Sequence, residues 1–163
     1  MRRAVVAAAI LLTACATAVA GVTGDWSGAY SYSFQNGATG EANYRSTNHL
    51  SIVRIDDASA LVEMDLQFFN GHSCEFSEVL RVEGESLVYR EPETPNDHGQ
   101  CVMTITRENG ALMLDDRSGG CAQETCSGRG AYSDISFPAA SRRRLPDAQR
   151  PAISSNIGNV SRN

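Results

Sequence analysis

The sequence predicts an all-β domain that folds as a small antiparallel barrel of eight strands. Apolar and polar residues alternate with a period of two along most of the chain from Asp25 onward. Turn signals separate the alternating runs at short intervals, and no segment shows a convincing helical period. Eight short antiparallel strands suit a barrel because closure removes exposed strand edges, and a β-sandwich is the alternative.

The strands follow from the alternation and the turns, taken in chain order. The first runs from Asp25 to a turn at Asn36-Gly37, and one face carries Trp26, Gly28, Tyr30, Tyr32 and Phe34. Further strands are predicted at 42–55, 60–68, 74–82, 87–89, 101–105, 112–114 and 130–137. Residues 91–99 contain Pro92 and Pro95 and are predicted to form a loop. Asn109-Gly110 is the strongest hairpin signal in the chain.

Residues 1–20 have the pattern of a secretory signal peptide. Arg2 and Arg3 precede an apolar run over residues 4–12, and Ala18-Val19-Ala20 is a small-residue cleavage site. Leu12-Thr13-Ala14-Cys15 also resembles a bacterial lipobox, in which the cysteine carries a lipid. The sequence is compatible with cleavage after Ala20 and with lipidation at Cys15, and it does not decide between them. Each predicts an extracytoplasmic protein, either in the bacterial periplasm or anchored to the membrane through lipid alone.

The charge is distributed unevenly between a barrel domain at residues 24–140 and a tail at 141–163. Residues 21–140 hold seven Arg and eighteen acidic side chains, a net charge of −11, whereas residues 141–163 hold five Arg and one acid, a net charge of +4. The whole chain has a net charge of −5, which argues against nucleic-acid binding. The tail lacks apolar periodicity and is predicted to be disordered.

Four cysteines remain beyond the signal segment: Cys74, Cys101, Cys121 and Cys126. An even number in a secreted chain predicts two disulfides, and three pairings are possible. We favour Cys121–Cys126, which closes a short loop, together with Cys74–Cys101. A zinc site is less favoured because the only close spacing is C-x4-C rather than paired C-x-x-C units.

The sequence contains no recognisable catalytic motif. The histidines are His49, His72 and His98, and none lies in a pattern typical of a nucleophile or a metal site. The carboxylate pairs Asp56-Asp57 and Asp115-Asp116 are predicted to lie in solvated turns, although two acids that meet in space could still form a glycosidase pair. We therefore predict a protein that is not an enzyme and that uses no cofactor and no metal.

The opening of the first strand, Gly24-Asp25-Trp26, resembles the G-x-W start of lipocalins and avidins. Those proteins are eight-stranded barrels, so the resemblance implies a carrier that binds a small apolar ligand inside the barrel. The other interpretation of Trp26 is structural, with the indole closing one end of the barrel.

The segment Cys126-Ser-Gly-Arg-Gly-Ala-Tyr132 resembles the S-G-x-x-Y segment of the periplasmic lysozyme inhibitors, with one residue more before the tyrosine. Members of that family are small eight-stranded barrels that insert this loop into the lysozyme cleft. The resemblance implies a partner-binding role for Ser127, Gly128 and Tyr132. The second motif of that family ends in Lys-Gly, and this chain contains no Lys. The other interpretation is a glycine-rich loop that only closes a disulfide.

These observations predict a secreted binding protein of the bacterial envelope. The first hypothesis is an inhibitor of a basic cell-wall hydrolase such as lysozyme, and the alternative is a lipocalin-like carrier of a small apolar ligand. An acidic body attracts a basic enzyme over long range. Arg129, in the same loop as Ser127, is the candidate to pair with the catalytic carboxylates of that enzyme.

Overall fold

The computed structural model describes residues 26–92 and 99–145. Within these residues the chain forms eight strands: β1 (Gly28–Asn36), β2 (Tyr44–Arg54), β3 (Ser59–Gln67), β4 (Ser73–Glu83), β5 (Ser86–Arg90), β6 (Val102–Glu108), β7 (Ala111–Asp115) and β8 (Ser136–Pro138). A six-residue helix, α1 (Gly120–Thr125), lies between β7 and β8. Short 3-10 turns occupy Phe69–Gly71 and Ala139–Ser141.

Each strand pairs antiparallel with the next, so the sheet order follows the chain from β1 to β8. The sheet curls into a nearly closed barrel because the chain returns to β1 after β8. Ala29 and Arg143 exchange two backbone hydrogen bonds of 2.9 and 2.7 Å. The backbone N–H of Ser31 donates to Oγ of Ser141 at 3.2 Å. The predicted all-β barrel is therefore confirmed, and the sandwich alternative is not.

The closing contacts correct the predicted boundary between the barrel and the tail. Residues 141–145, which the sequence assigned to a disordered tail, run along β1, and Leu145 is buried at 8% exposure. The guanidinium Nε of Arg142 donates to the carbonyl oxygen of Ser27 at 3.0 Å. These contacts are made mainly by backbone groups and carry no apolar periodicity, so the sequence pattern could not reveal them. Residues 146–163 lie outside the described residues, as do residues 1–20 with Cys15.

The inward-facing side chains of the strands form one apolar cluster that fills the barrel. Its fully buried members include Leu50, Ile52, Val62, Leu66, Leu80, Leu87, Met103, Ile105, Leu112 and Phe137. Each contributes about 1.5–3 kcal/mol by leaving water. Trp26, which precedes β1, belongs to the same cluster, and its carbonyl oxygen accepts a 2.6 Å hydrogen bond from the Tyr30 hydroxyl.

The two ends of the barrel differ in the length of their connections. At one end short turns join β2 to β3, β4 to β5 and β6 to β7. Asn109 and Gly110 in the last of these have φ angles of 48° and 79°, as the predicted two-residue hairpin requires. The other end, here called the loop end, carries the connections β1–β2, β3–β4, β5–β6 and β7–β8. The longer connections therefore lie together at the loop end.

The β7–β8 connection departs most from the sequence prediction. Residues 130–135, predicted as the start of the last strand, precede a β8 of only three residues. Helix α1 was not predicted, because six residues are too few to show a helical period.

Candidate binding surface at the loop end

Asp116 holds α1 in place at the start of the β7–β8 connection. Its side chain is 3% exposed. Its Oδ2 accepts a 2.8 Å hydrogen bond from the N–H of Ala122, and its Oδ1 accepts one of 3.3 Å from the N–H of Cys121. These donors belong to the first turn of the helix, whose N–H groups have no partner within the helix itself. Asp116 is therefore a buried cap and not the solvated turn residue that the sequence suggested.

Two disulfides fix the two ends of α1 to different strands. Cys121, in its first turn, is bonded to Cys101, which precedes β6. Cys126, directly after the helix, is bonded to Cys74 in β4. The favoured pairing Cys121–Cys126 with Cys74–Cys101 is therefore wrong. A helix rises about 1.5 Å per residue, so α1 separates Cys121 from Cys126 by about 7.5 Å along its axis, beyond the usual reach of a disulfide.

The segment at residues 127–131, here called the anchored loop, follows the second disulfide. Its first residue pairs with the start of β4: the N–H of Ser127 donates to the carbonyl oxygen of Ser73 at 2.7 Å, and the N–H of Ser73 donates to Oγ of Ser127 at 2.9 Å. Gly128 has a φ of 62°, and a Cβ there would collide with the imidazole of His72. A Cβ at Gly130 would collide with Sγ of Cys74. The loop therefore packs directly on the disulfide and on His72.

The structure divides the four residues predicted to bind a partner. Ser127, Gly128 and Arg129 are exposed on the anchored loop. Tyr132 is fully buried, with its ring edge-to-face against Phe76 at 5.9 Å between centroids. Three of the predicted residues therefore lie on one surface, and Tyr132 supports that surface from below instead of contacting a partner.

The hydroxyl of Tyr132 belongs to a buried chain of hydrogen bonds. It lies 2.6 Å from Oγ1 of Thr125, which donates to the carbonyl oxygen of Cys121 at 2.8 Å. Burial raises the pKa of Tyr132 to about 12, although its hydrogen bond with Thr125 lowers it in part. Tyr132 thus ties the end of the anchored loop to both ends of α1.

Arg129 is the cationic side chain of the anchored loop. The ion pairs in the described part of the chain are Arg54–Asp57, Arg90–Glu83 and Arg117–Asp115, and all of them lie outside the loop. Within the described residues Arg129 enters no ion pair, so its guanidinium is available to a partner.

Comparisons with known protein families, with curated proteins and with solved structures found no match for this chain. In the described ranges no helix has the length and apolar character needed to cross a bilayer. The chemistry of the loop end is therefore the basis for a functional assignment.

The described histidines and carboxylates do not gather into a metal site. No cluster of three or more His, Cys, Asp or Glu side chains capable of holding a metal ion occurs in the described parts of the chain. Oδ1 of Asp56 accepts 2.8 Å hydrogen bonds from the N–H of Ala58 and from the Ser59 hydroxyl, and these bonds lower its pKa. His98 lies outside the described residues. The predicted turn position of Asp56-Asp57 is confirmed, and Asp56 stabilises that turn.

Proposed function

We propose that this chain is a secreted, non-enzymatic binding protein of the bacterial envelope that inhibits a basic cell-wall hydrolase of the lysozyme type. The observation that carries the proposal is the anchored loop. Its exposed residues Ser127–Gly128–Arg129 are held by a disulfide on one side and by buried Tyr132 on the other. A loop that is rigid before binding loses little conformational entropy when it enters a cleft.

The charges favour a basic enzyme with an acidic cleft. The acidic body attracts a basic protein and increases its rate of association. At the loop end, Glu75 on β4 and Glu124 on α1 are exposed beside the elements that carry the anchored loop. The guanidinium of Arg129, which forms no ion pair with the described residues, supplies the complementary group for the catalytic carboxylates, which in a lysozyme-type enzyme lie at the bottom of the cleft.

The two disulfides are consistent with an oxidising, extracytoplasmic compartment. The proposed location is the bacterial periplasm, reached through the signal segment at residues 1–20. A lipid anchor at Cys15 is the alternative within the same compartment.

The filled interior favours binding at the surface over the carrier alternative. A carrier of a small apolar ligand needs a lined cavity inside the barrel. The inward-facing side chains of the described strands instead pack into one cluster, which includes Trp26 before β1 and Phe137 in β8. This packing supports the interpretation that the indole of Trp26 has a structural role and closes one end of the barrel.

The test is the lysis of a cell-wall suspension by several lysozymes, with and without the mature chain. Arg129→Ala should weaken inhibition by roughly 2–5 kcal/mol if the guanidinium is buried against a carboxylate at the interface. Arg107→Ala is the matched control, because Arg107 is an exposed arginine of β6 near the opposite end of the barrel and its loss changes the net charge equally. Added salt should weaken inhibition by both variants and by the parent chain.

Two results would contradict the proposal. The first is that a large molar excess of the chain slows lysis by none of the lysozymes tested. The second is an equal loss for Arg129→Ala and Arg107→Ala, which would indicate non-specific attraction between an acidic and a basic protein.

A further inference from the structure

The mouth of the barrel at the loop end contains a cleft that the proposed function does not use. Its volume is about 570 Å³. Of the described residues that line it, four are aromatic, five are Asn or Gln, and none is charged. Charged residues make up 20% of the chain, so an uncharged lining of this size sets the cleft apart from the rest of the surface.

Phe69 forms a fixed aromatic wall at the rim of the cleft. Its side chain is 56% exposed, the most exposed large apolar side chain in the described residues. The neighbouring Asn70 holds the turn rigidly, because its N–H donates to the carbonyl oxygen of Gly37 at 2.8 Å and its Oδ1 accepts from the N–H of Thr39 at 2.6 Å. An exposed ring on a rigid turn is well suited to stack against a flat ligand face.

Tyr32 supplies a polar group in the lining of the cleft. Buried Asn48 donates from Nδ2 to the Tyr32 hydroxyl oxygen at 2.7 Å, and its Oδ1 accepts from the N–H of Gln67 at 2.8 Å. The Tyr32 ring also packs edge-to-face on Phe137 at 5.3 Å. Since the hydroxyl oxygen accepts from Asn48, the phenolic proton remains to be donated to a ligand.

We propose that this cleft binds an uncharged saccharide. A sugar ring has apolar C–H faces that pack on aromatic rings, and its hydroxyl or acetamido groups pair with carboxamides. Four of the five carboxamides in the lining already make hydrogen bonds within the protein. A purely apolar ligand would still leave the Tyr32 hydroxyl proton and the carboxamide of Asn43 without partners, which disfavours it. An ionic ligand would find no opposite charge there. The exposed carboxamide of Asn43, which makes no hydrogen bond within the described residues, is an additional group for recognition.

The proposal is tested by NMR titration of the isotope-labelled mature chain with three trisaccharides: tri-N-acetylchitotriose, cellotriose and trigalacturonic acid. Titration to about 20 mM detects millimolar dissociation constants. Binding of either neutral probe, with shifts at the side-chain amides of Asn43 and Asn48 and at the backbone of Phe69, supports the proposal. Comparison of the two neutral probes shows whether acetamido groups are preferred. The charged trisaccharide should bind more weakly than both.

Two variants locate the binding site, and a third is the control. Phe69→Ala should weaken binding about fivefold, in line with the contribution of an aromatic contact. Tyr32→Phe keeps the ring but removes the hydroxyl, and should weaken binding roughly 2- to 10-fold. Tyr44→Ala removes the other exposed large apolar side chain, which lies outside the cleft, and should leave binding unchanged. The spectrum of each variant without ligand verifies its fold.

Several outcomes would overturn the proposal. These are an absence of shifts with both neutral probes, shifts confined to surfaces away from the cleft, equal losses for Phe69→Ala and Tyr44→Ala, and tighter binding of the charged trisaccharide. The titration involves no hydrolase, so its result is independent of the lysis assay and of Arg129.

Discussion

Two adjacent aspartates, Asp115 and Asp116, have different environments although they look equivalent in the sequence. Asp115 lies at the end of β7, is half-exposed and pairs with Arg117 at 3.1 Å, while the Arg117 side chain is 91% exposed. Asp116 is buried and accepts hydrogen bonds from two N–H groups of α1. A surface ion pair contributes little, whereas a buried cap satisfies donors that water cannot reach.

We expect Asp116→Ala to lower the free energy of unfolding by about 2–3 kcal/mol, because it leaves the buried N–H of Cys121 and the partly buried N–H of Ala122 without their acceptor. Asp115→Ala is the matched control and should cost less than about 1 kcal/mol. Urea unfolding of both variants measures the difference as a shift of the midpoint at constant slope. Equal destabilisation by the two substitutions would show that Asp116 does not act as the cap.

Tyr132 makes the stability of the fold sensitive to alkaline pH. Its pKa rises from 10.0 to about 12 in the folded chain, mainly through burial. The folded pKa exceeds the unfolded one, so the stabilisation is complete below about pH 10 and is lost as the pH rises toward about 12. We expect the free energy of unfolding to fall by about 2–3 kcal/mol over that window from this residue.

The measurement is urea unfolding at several pH values between neutral and alkaline. Tyr132→Phe should flatten the decline, whereas Tyr44→Phe, at an exposed tyrosine, should leave it unchanged. Burial also raises the pKa of Tyr30 and of Tyr89, so part of the decline should persist in Tyr132→Phe. A decline identical in all three proteins would exclude Tyr132 as its source.

At the scale of elements, α1 acts as a spacer that determines which cysteines can meet. Its length places Cys121 near the start of β6 and Cys126 near β4. The bonded cysteines are 20 residues apart in sequence for Cys101–Cys121 and 52 residues apart for Cys74–Cys126. The anchored loop begins at the residue after Cys126, so the position of Arg129 depends on this arrangement. The position of the anchored loop is thus a consequence of a short helix between two strands.

Thiol counting in paired variants tests the disulfide pattern. In the mature chain, which lacks Cys15, Cys74→Ala/Cys126→Ala removes one complete bond and should leave no free thiol, with a loss of stability of roughly 2–5 kcal/mol. Cys74→Ala/Cys101→Ala removes one partner from each bond and should leave Cys121 and Cys126 both free, because α1 holds them apart. Titration with a thiol reagent under denaturing conditions gives the count. Free thiols in the first variant and none in the second would favour the Cys121–Cys126 pairing.

At the scale of the whole molecule, closure of the barrel depends on residues beyond the last strand. Strand β8 has only three residues, and the chain after it supplies the backbone groups that pair with β1 at Ala29. Unpaired edge groups of β1 would otherwise be left for association with another chain. Leu145, two residues after Arg143, is also buried.

A pair of truncations measures the contribution of this seam. A chain ending at Ala140 lacks the Ala29–Arg143 hydrogen bonds and Leu145, while a chain ending at Leu145 retains both. We expect the shorter chain to be less stable by about 2–4 kcal/mol, from lost hydrogen bonds and lost burial. This corresponds to a Tm lower by roughly 10 °C in a calorimetric scan. Equal Tm values for the two chains would mean that residues 141–145 do not close the barrel.

Local pattern by itself determined the fold class. Period-two alternation places Leu50 and Ile52 of β2 on one face, because successive side chains of a strand point to opposite sides. Asn109-Gly110 specified its hairpin because both residues tolerate a positive φ. The strands, their order and the barrel follow from such local rules, since each strand pairs with its neighbour in sequence. The signal segment, the envelope location and the inhibitory role stay predictions.

Only the tertiary structure decided how the loop end is assembled. The bond between Cys74 and Cys126 spans 52 residues, and the hydrogen bonds between Ser73 and Ser127 join groups 54 residues apart. The burial of Tyr132 and the closing contact of Arg143 with Ala29 are equally remote in sequence. Such contacts have no local period, because they depend on where the barrel places the ends of distant strands. The sequence therefore determined most of the strands, and three-dimensional packing decided which residues of the anchored loop are exposed and which are buried.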